Sequence, residues 1–221
     1  MELSDGVEMF DVDHEDHDLT RASLVGAELT DVRFQRVRLA AARLEAARLT
    51  RVVFRDCDLS GVDCSEATMS SCRFEDCRLT GAELAQVCVR DTAFVRSRLD
   101  DANLRLSHVD RSRFEECVLV SADLVGAELR DVVLVACDCT GADFTDARCD
   151  RVDLRGARLD GIRGVGALRN ATVAPEHLVV LAPALASACG IRVLPEGAAG
   201  DDAGGRARTG RGARRRSPPG R

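Results

Sequence analysis

The chain contains no tryptophan and no tyrosine, and it has only 7 phenylalanines among its 221 residues. Its core is therefore not built mainly on large aromatic side chains. No apolar run reaches 18 residues, so no membrane-spanning helix is predicted. The acidic N-terminal stretch has no apolar segment typical of a secretory signal, and we expect a cytoplasmic protein with reduced thiols.

What the sequence does contain is a repeat of five residues. From Leu19 to Leu159, every fifth residue is apolar, without an insertion or a deletion. A second series, two residues earlier in each unit, holds mostly small or β-branched side chains from Ala22 to Ala157. Neither an α-helix nor a strand has this period. The repeat predicts stacked identical units, each with one large and one small side chain pointing inward.

The phenylalanines reveal a longer period of twenty residues. Five of them are spaced in this way: Phe34, Phe54, Phe74, Phe94 and Phe114. A coil of four five-residue sides would place these rings above one another, at about 4.8 Å per coil. The repeat then makes about seven coils with four faces. Gly or Asp often stands two residues after the large core residue, where a tight corner is needed.

Several units carry a recognisable motif, for example Ala-Asn-Leu at 102–104, Ala-Asp-Leu at 122–124 and Ala-Asp-Phe at 142–144. These units resemble those of the pentapeptide-repeat family across about residues 17–163. The resemblance implies an all-β solenoid, namely a right-handed quadrilateral β-helix with a short C-terminal helix. The unbroken register is similar to that of loopless, quinolone-resistance-like members, in which the solenoid imitates duplex DNA and binds DNA gyrase.

The composition divides the chain into four parts. They are an acidic N-terminal cap (1–16), the β-helix (17–163), a C-terminal capping and dimerisation helix (164–194) and a disordered Arg-rich tail (195–221). The resemblance implies that the helix joins two copies into a homodimer.

The predicted C-terminal helix has sequence signals at both ends. Pro175 suits a first helical turn and Gly190 a C-terminal stop, and a short strand is expected at 191–194. The apolar stripe assigned to dimerisation is formed by Leu178, Leu181 and Leu185.

The ten cysteines suggest metal or redox chemistry, but their positions favour a structural role. Five lie in the small inward slot and three in the large one: Cys57, Cys72, Cys77, Cys117, Cys137, Cys64, Cys139 and Cys149. Free cysteine in such a slot behaves as a small apolar residue. Cys88 faces outward and is the best candidate for a reactive thiol, although the sequence around it offers no clear activation.

Enzymatic and metal sites are not predicted. His14 and His17 could ligate a metal, but they lack thiolates and a second ligand pair, so a solvated acidic segment is the preferred interpretation. No nucleophile–base pair and no phosphate-binding loop is apparent. We therefore expect a non-enzymatic protein without a metal or other cofactor.

Charge distinguishes one face of the predicted coil. When outward residues are assigned to faces by the twenty-residue period, three faces are nearly neutral, whereas the face of Leu24 and Leu44 has a net charge of −5. We call this the acidic face. Its carboxylates are Glu45, Asp63, Glu66, Glu83, Asp123, Asp143 and Asp146, opposed by Arg43 and Arg105.

Two functional hypotheses remain open. In the first, the acidic face is a DNA mimic that binds a type II topoisomerase, DNA gyrase or topoisomerase IV, and protects it from quinolones. In the second, the rod is a general scaffold for protein–protein interaction without DNA mimicry. The β-helix itself is not expected to bind DNA. The basic tail at 206–221 either contacts nucleic acid or an acidic partner, or serves only as a solubilising segment.

Overall fold

In the computed structural model, which describes residues 4–193, the five-residue units wind into four-sided coils stacked along one axis. The predicted solenoid of about seven turns is thus confirmed. All strands and helices of the described residues lie within the unit Met1–Ile191. The predicted tail at 195–221 lies outside the described residues.

One face of the solenoid is a parallel sheet of eight strands. Its strands are β1 (Glu8–Phe10), β3 (Glu28–Thr30), β5 (Arg48–Thr50), β7 (Thr68–Ser70), β9 (Cys88–Arg90), β11 (His108–Asp110), β13 (Glu128–Arg130) and β15 (Arg148–Asp150). A second face is a parallel sheet of seven strands. They are β2 (Asp13–Glu15), β4 (Arg33–Gln35), β6 (Val53–Arg55), β8 (Arg73–Glu75), β10 (Ala93–Val95), β12 (Arg113–Glu115) and β14 (Val133–Val135). In both sheets each residue pairs with the residue twenty positions later.

The other two faces are held by single parallel bridges with the same twenty-residue register. One row runs from Asp18 to Arg158 and the other from Ser23 to Arg163. The acidic face lies on the second of these rows. Because every coil has the same length, a side chain in one coil lies directly above its counterpart in the coil before.

The core is a set of parallel side-chain ladders. The five phenylalanines stack with ring centroids 4.7 to 4.9 Å apart and ring planes within 3° to 10° of parallel. All five rings are buried. The small inward slot beside each ring leaves room for it, and the inward side chains form one continuous buried core.

The cysteines occupy the slots predicted for them. Eight of the ten are buried, which confirms the structural interpretation. The thiols of Cys57 and Cys77 donate to the carbonyl oxygens of Phe34 and Phe54, each at 3.4 Å. Burial raises the pKa of Cys64 to about 12, so this thiol stays protonated at neutral pH.

The corners of the coil require a positive φ, and far more residue types than glycine and aspartate adopt it. Arg51 and Arg96, for example, have φ values of 53° and 45°. Each forms a two-pronged ion pair with the corner aspartate of the preceding coil, at 2.6 Å to both oxygens of Asp31 for Arg51 and at 2.8 and 2.7 Å to Asp76 for Arg96. These pairs offset the cost of the left-handed corner conformation by linking adjacent coils.

The solenoid begins earlier than the sequence indicated. β1 and β2 lie within the segment assigned to an acidic cap, and they pair with β3 and β4 as the later strands do. Met9 and His14 fill the inward slots of this coil. The His14 ring stacks on Phe34 with centroids 5.1 Å apart, and burial, with a smaller contribution from His17, lowers the pKa of His14. His14 is therefore a core residue, not part of a solvated segment.

The chain leaves the repeat through a short helix and a longer one. The 3-10 helix η1 (Val165–Ala167) packs against α1 (His177–Ala188), and α1 contains Pro183 in its interior. Residues 191–193 are not a strand, contrary to the prediction. No helix within residues 4–193 is long and apolar enough to cross a membrane.

Candidate partner-binding face

The acidic face presents its charges as one straight row and two flanking columns. The row follows the bridge register, so that Asp63 lies beside Glu83, then Asn103, then Asp123 and Asp143. The structure thus brings four of the seven predicted carboxylates into line. Glu45 lies in one flanking column, and Glu66 and Asp146 lie at the corner.

Arginine neutralises part of this face. Asp123 pairs with Arg105 at 3.1 Å, and Asp143 pairs with Arg163 at 2.8 Å. Burial raises the pKa of Asp143, but hydrogen bonds from Thr145 and Arg163 outweigh it, and the net shift is downward. At the other end of the row, Glu45 pairs with Arg43 at 2.9 Å. Ion pairs therefore neutralise three of the seven predicted carboxylates, namely Glu45, Asp123 and Asp143.

The excess negative charge of the face lies on the carboxylates outside these ion pairs. Among the described residues, no arginine lies within ion-pairing distance of Asp63, Glu66, Glu83 or Asp146. Asp63 accepts a hydrogen bond from the Ser65 backbone N–H at 2.9 Å, and Glu83 accepts one from the Asn103 amide at 2.7 Å. These neutral donors fix the carboxylates in place and leave their charge uncompensated.

The sequence assignment missed two charged members of this face. Asp5 accepts hydrogen bonds from the Ser23 hydroxyl at 2.5 Å and the Val25 backbone N–H at 3.1 Å, so it extends the face by one coil. Arg163 extends it at the other end. Both residues continue the twenty-residue register, which was the available signal. The two additions cancel, and the net charge of the face remains −5.

The face of the seven-stranded sheet shows the opposite arrangement. Glu75 lies among Arg96, Arg55 and Arg73, at 2.9, 3.1 and 3.4 Å. Arg96 above all, with Arg55 and Arg73, lowers the pKa of Glu75 to about 2 although partial burial opposes the shift. Arg96 also pairs with Asp76 at 2.7 Å, so three guanidinium groups here face two carboxylates and the cluster has no excess of negative charge.

The structure separates the three leucines assigned to dimerisation. Leu181 is 3% exposed and belongs to the core, where it seals the end of the solenoid. Leu178 and Leu185 are 55% and 37% exposed. Residues 177–188 contain no Asp, Glu, Lys or Arg, so the outer surface of α1 is largely apolar.

Within residues 4–193, no three His, Cys, Asp or Glu side chains are arranged to hold a metal ion. The site is a surface of fixed charge on a rigid support, and the chemistry it offers is electrostatic.

A four-sided parallel β-solenoid built on a five-residue register defines a class of repeat protein. The chain belongs to the pentapeptide-repeat family: one model, described as a pentapeptide repeat region, matches residues 27–104, and a second, described as pentapeptide repeats in eight copies, matches 97–134 and 124–161. A comparison with curated proteins gives no significant match.

Two solved structures illustrate the likeness. QnrB1, a plasmid-mediated fluoroquinolone resistance protein, is 17% identical with a TM-score of 0.51, and the match covers 86% of this chain and 100% of that one. HetL, a pentapeptide repeat protein involved in heterocyst differentiation regulation from the cyanobacterium Nostoc sp. strain PCC 7120, is 18% identical with a TM-score of 0.35. That match covers 76% of this chain and 87% of HetL. At these identities the likeness concerns the fold alone.

Proposed function

We propose that this protein is a non-enzymatic, cytoplasmic binding protein whose acidic face engages a basic surface of a protein partner. The observation that carries the proposal is the charge imbalance between faces, since the acidic face has a net charge of −5 and the other three are nearly neutral. The coil holds these carboxylates in fixed positions, so little conformational entropy is lost when a partner binds.

A type II topoisomerase is the partner we propose to test first. Its DNA-binding surface is elongated and basic, which suits a straight rod with a line of carboxylates. QnrB1, which shares the fold, is described as a fluoroquinolone resistance protein. In this form of the proposal the protein occupies the DNA site of the enzyme and protects it from quinolones.

Charge density favours a second candidate, a scaffold that does not imitate DNA. Seven coils rise about 34 Å, a length over which duplex DNA carries about 20 charges. The acidic face supplies about a quarter of that number. A partner that recognises a short acidic row, centred on Asp63 and Glu83, needs no such density.

The central test is reversal of the uncompensated carboxylates, with Asp63→Arg, Glu66→Arg and Glu83→Arg combined in one protein. Arginine is native to equivalent positions, at Arg43 in the row and at other corners, so the fold is expected to persist. In a gyrase supercoiling assay with and without a fluoroquinolone, the concentration of protein giving half the effect should rise at least about tenfold, or 1.4 kcal/mol of binding energy.

A matched control changes the same amount of charge elsewhere. Asp56→Arg, Asp101→Arg and Glu116→Arg reverse exposed corner acids on other faces, and this triple variant should behave like the wild type. Equal effects of the two triple variants would show that overall charge matters and not the acidic face. A wild-type protein that neither binds nor protects the topoisomerase would eliminate that partner and leave the scaffold candidate.

We also propose a homodimer formed through the outer surface of α1. Leu178 and Leu185 flank the buried Leu181 and are free to meet a second copy. Light scattering should give twice the chain mass of 23.8 kDa at micromolar concentration. Leu178→Glu with Leu185→Glu should give the monomer mass with an unchanged circular dichroism spectrum, whereas a monomeric wild type would contradict the proposal.

A further inference from the structure

A groove of about 330 Å³ runs along the outer surface of the eight-stranded sheet, over β9, β11, β13 and β15. It lies outside the acidic face. Its two walls are rows of polar side chains set by the strand register, and buried Val109 and Leu129 form its floor. The groove is open enough to admit a small molecule.

One wall of the groove holds a nucleophile, a base and an acid in consecutive coils. Cys88 pairs in register with His108, and His108 pairs with Glu128. The Nε2 atom of His108 lies 3.4 Å from Glu128 Oε2. Glu128 is itself held by Arg148, whose guanidinium lies 2.8 Å from the other carboxylate oxygen. Arg148 thus holds the acid, and the acid faces Nε2 of the imidazole.

The orientation of His108 leaves one ring nitrogen for the thiol. Glu128 lies on the coil after His108 and takes Nε2, whereas Cys88 lies on the coil before it. Nδ1 is then the ring nitrogen that is not paired with Glu128; no hydrogen bond joins it to the thiol in this conformation, and rotation of the Cys88 and His108 side chains would bring the two together. The other wall adds Arg90, which lies two residues along the strand from Cys88.

Cys88 differs from the other thiols of the chain. The eight buried cysteines are closed to solvent, whereas Cys88 is half-buried and lines the groove. Cys189 is exposed at the end of α1 and has no comparable row of partners on its element. Cys189 can therefore serve as the reference thiol when the reactivity of Cys88 is measured.

We propose that Cys88, His108 and Glu128 form a reactive-thiol site that takes small hydroperoxides. His108 removes the proton of Cys88, and the thiolate sulfur attacks one oxygen of the hydroperoxide. A sulfur–oxygen bond forms as the oxygen–oxygen bond breaks, and the leaving oxygen takes the proton back from His108. Sulfur is oxidised to the sulfenic acid and the hydroperoxide is reduced to water or an alcohol.

Alkylation rates provide the test of nucleophilicity. With limiting iodoacetamide near neutral pH, peptide mass spectrometry of the full chain should show Cys88 reacting at least about tenfold faster than Cys189. His108→Ala should bring the Cys88 rate to within about twofold of the Cys189 rate, and added imidazole should restore part of the loss. The alkylation rate of Cys189 should be the same in every variant.

The effect of Glu128 on the reactivity of Cys88 can be compared with that of Glu28, which lies in the same row of side chains. Glu28 pairs with Arg48 at 2.7 Å, as Glu128 does with Arg148, but lies three coils from Cys88. Glu128→Gln should slow the alkylation of Cys88 several-fold and leave the alkylation rate of Cys189 unchanged. Glu28→Gln should leave both alkylation rates unchanged. Equal slowing by the two variants would overturn the assignment of Glu128.

Hydrogen peroxide with dimedone tests the substrate class. A dimedone adduct is expected at Cys88 and not at Cys189, and it should disappear in His108→Ala. The proposal is overturned if Cys88 reacts no faster than Cys189, if its rate is unaffected by His108→Ala, or if no dimedone adduct forms at Cys88.

Discussion

Phe74→Ala is expected to lower the free energy of unfolding by about 3–5 kcal/mol. Phe74 is the central ring of the phenylalanine ladder, with Phe54 and Phe94 stacked on either side at 4.8 and 4.7 Å. Removing the ring deletes two stacking contacts and leaves a cavity in the core, because the Phe74 side chain is only 1% exposed. Each coil of a solenoid contacts only its neighbours, so a central gap divides the rod into two weaker halves.

Urea unfolding followed by circular dichroism measures this cost. Phe74→Leu is the matched control, because leucine fills the large inward slot on the other faces, for example at Leu49 and Leu79. That variant should lose only about 1–1.5 kcal/mol. A loss of less than 1 kcal/mol for Phe74→Ala would show that the ladder contributes little to stability.

Gly164→Ala is expected to detach the C-terminal segment from the solenoid. Gly164 occupies a core slot with a φ of 70°, and a Cβ atom at this position would lie 2.2 Å from the Thr145 backbone nitrogen and 2.3 Å from the Phe144 carbonyl carbon. Those atoms are backbone of the preceding coil and cannot move aside. The local free energy cost should exceed about 3 kcal/mol.

Hydrogen exchange separates this local effect from global unfolding. In Gly164→Ala, amides of α1 should exchange much faster, while those of the central strands keep wild-type protection. Gly161→Ala is the control, since its φ is 64° but no atom lies within 4 Å of the added Cβ. It should cost about 1–2 kcal/mol of backbone strain without releasing α1. Wild-type exchange of α1 in Gly164→Ala would contradict the prediction.

The features that depend on the five-residue register alone were predictable from sequence. The phenylalanine ladder and the cysteine slots follow from counting, because every coil has the same length. His14 was missed because its acidic neighbours suggested a solvated segment, although it lies twenty residues before Phe34. The register was a better guide there than the local composition.

Features that depend on a partner in another coil were harder to predict. An arginine such as Arg51 tolerates a left-handed corner beside the aspartate that clamps it, and that residue is twenty positions away. Cys88 and His108, by contrast, are twenty residues apart, so the register alone predicts that they lie side by side in adjacent coils. Leu181 faces the core and Leu178 does not, which depends on how α1 packs against η1.

The equal length of the coils has a consequence for how such a rod can change. Duplication of any twenty consecutive residues would add one coil and return every later side chain to its original face. A five-residue insertion between Glu83 and Asp123 would instead turn all later coils by a quarter, so that Asp123 and Asp143 would leave the line of Asp63 and Glu83. Insertion of whole coils thus preserves the arrangement of surface charges, whereas insertion of a single five-residue unit changes it. The length of the solenoid and the charge pattern of its faces can therefore change independently.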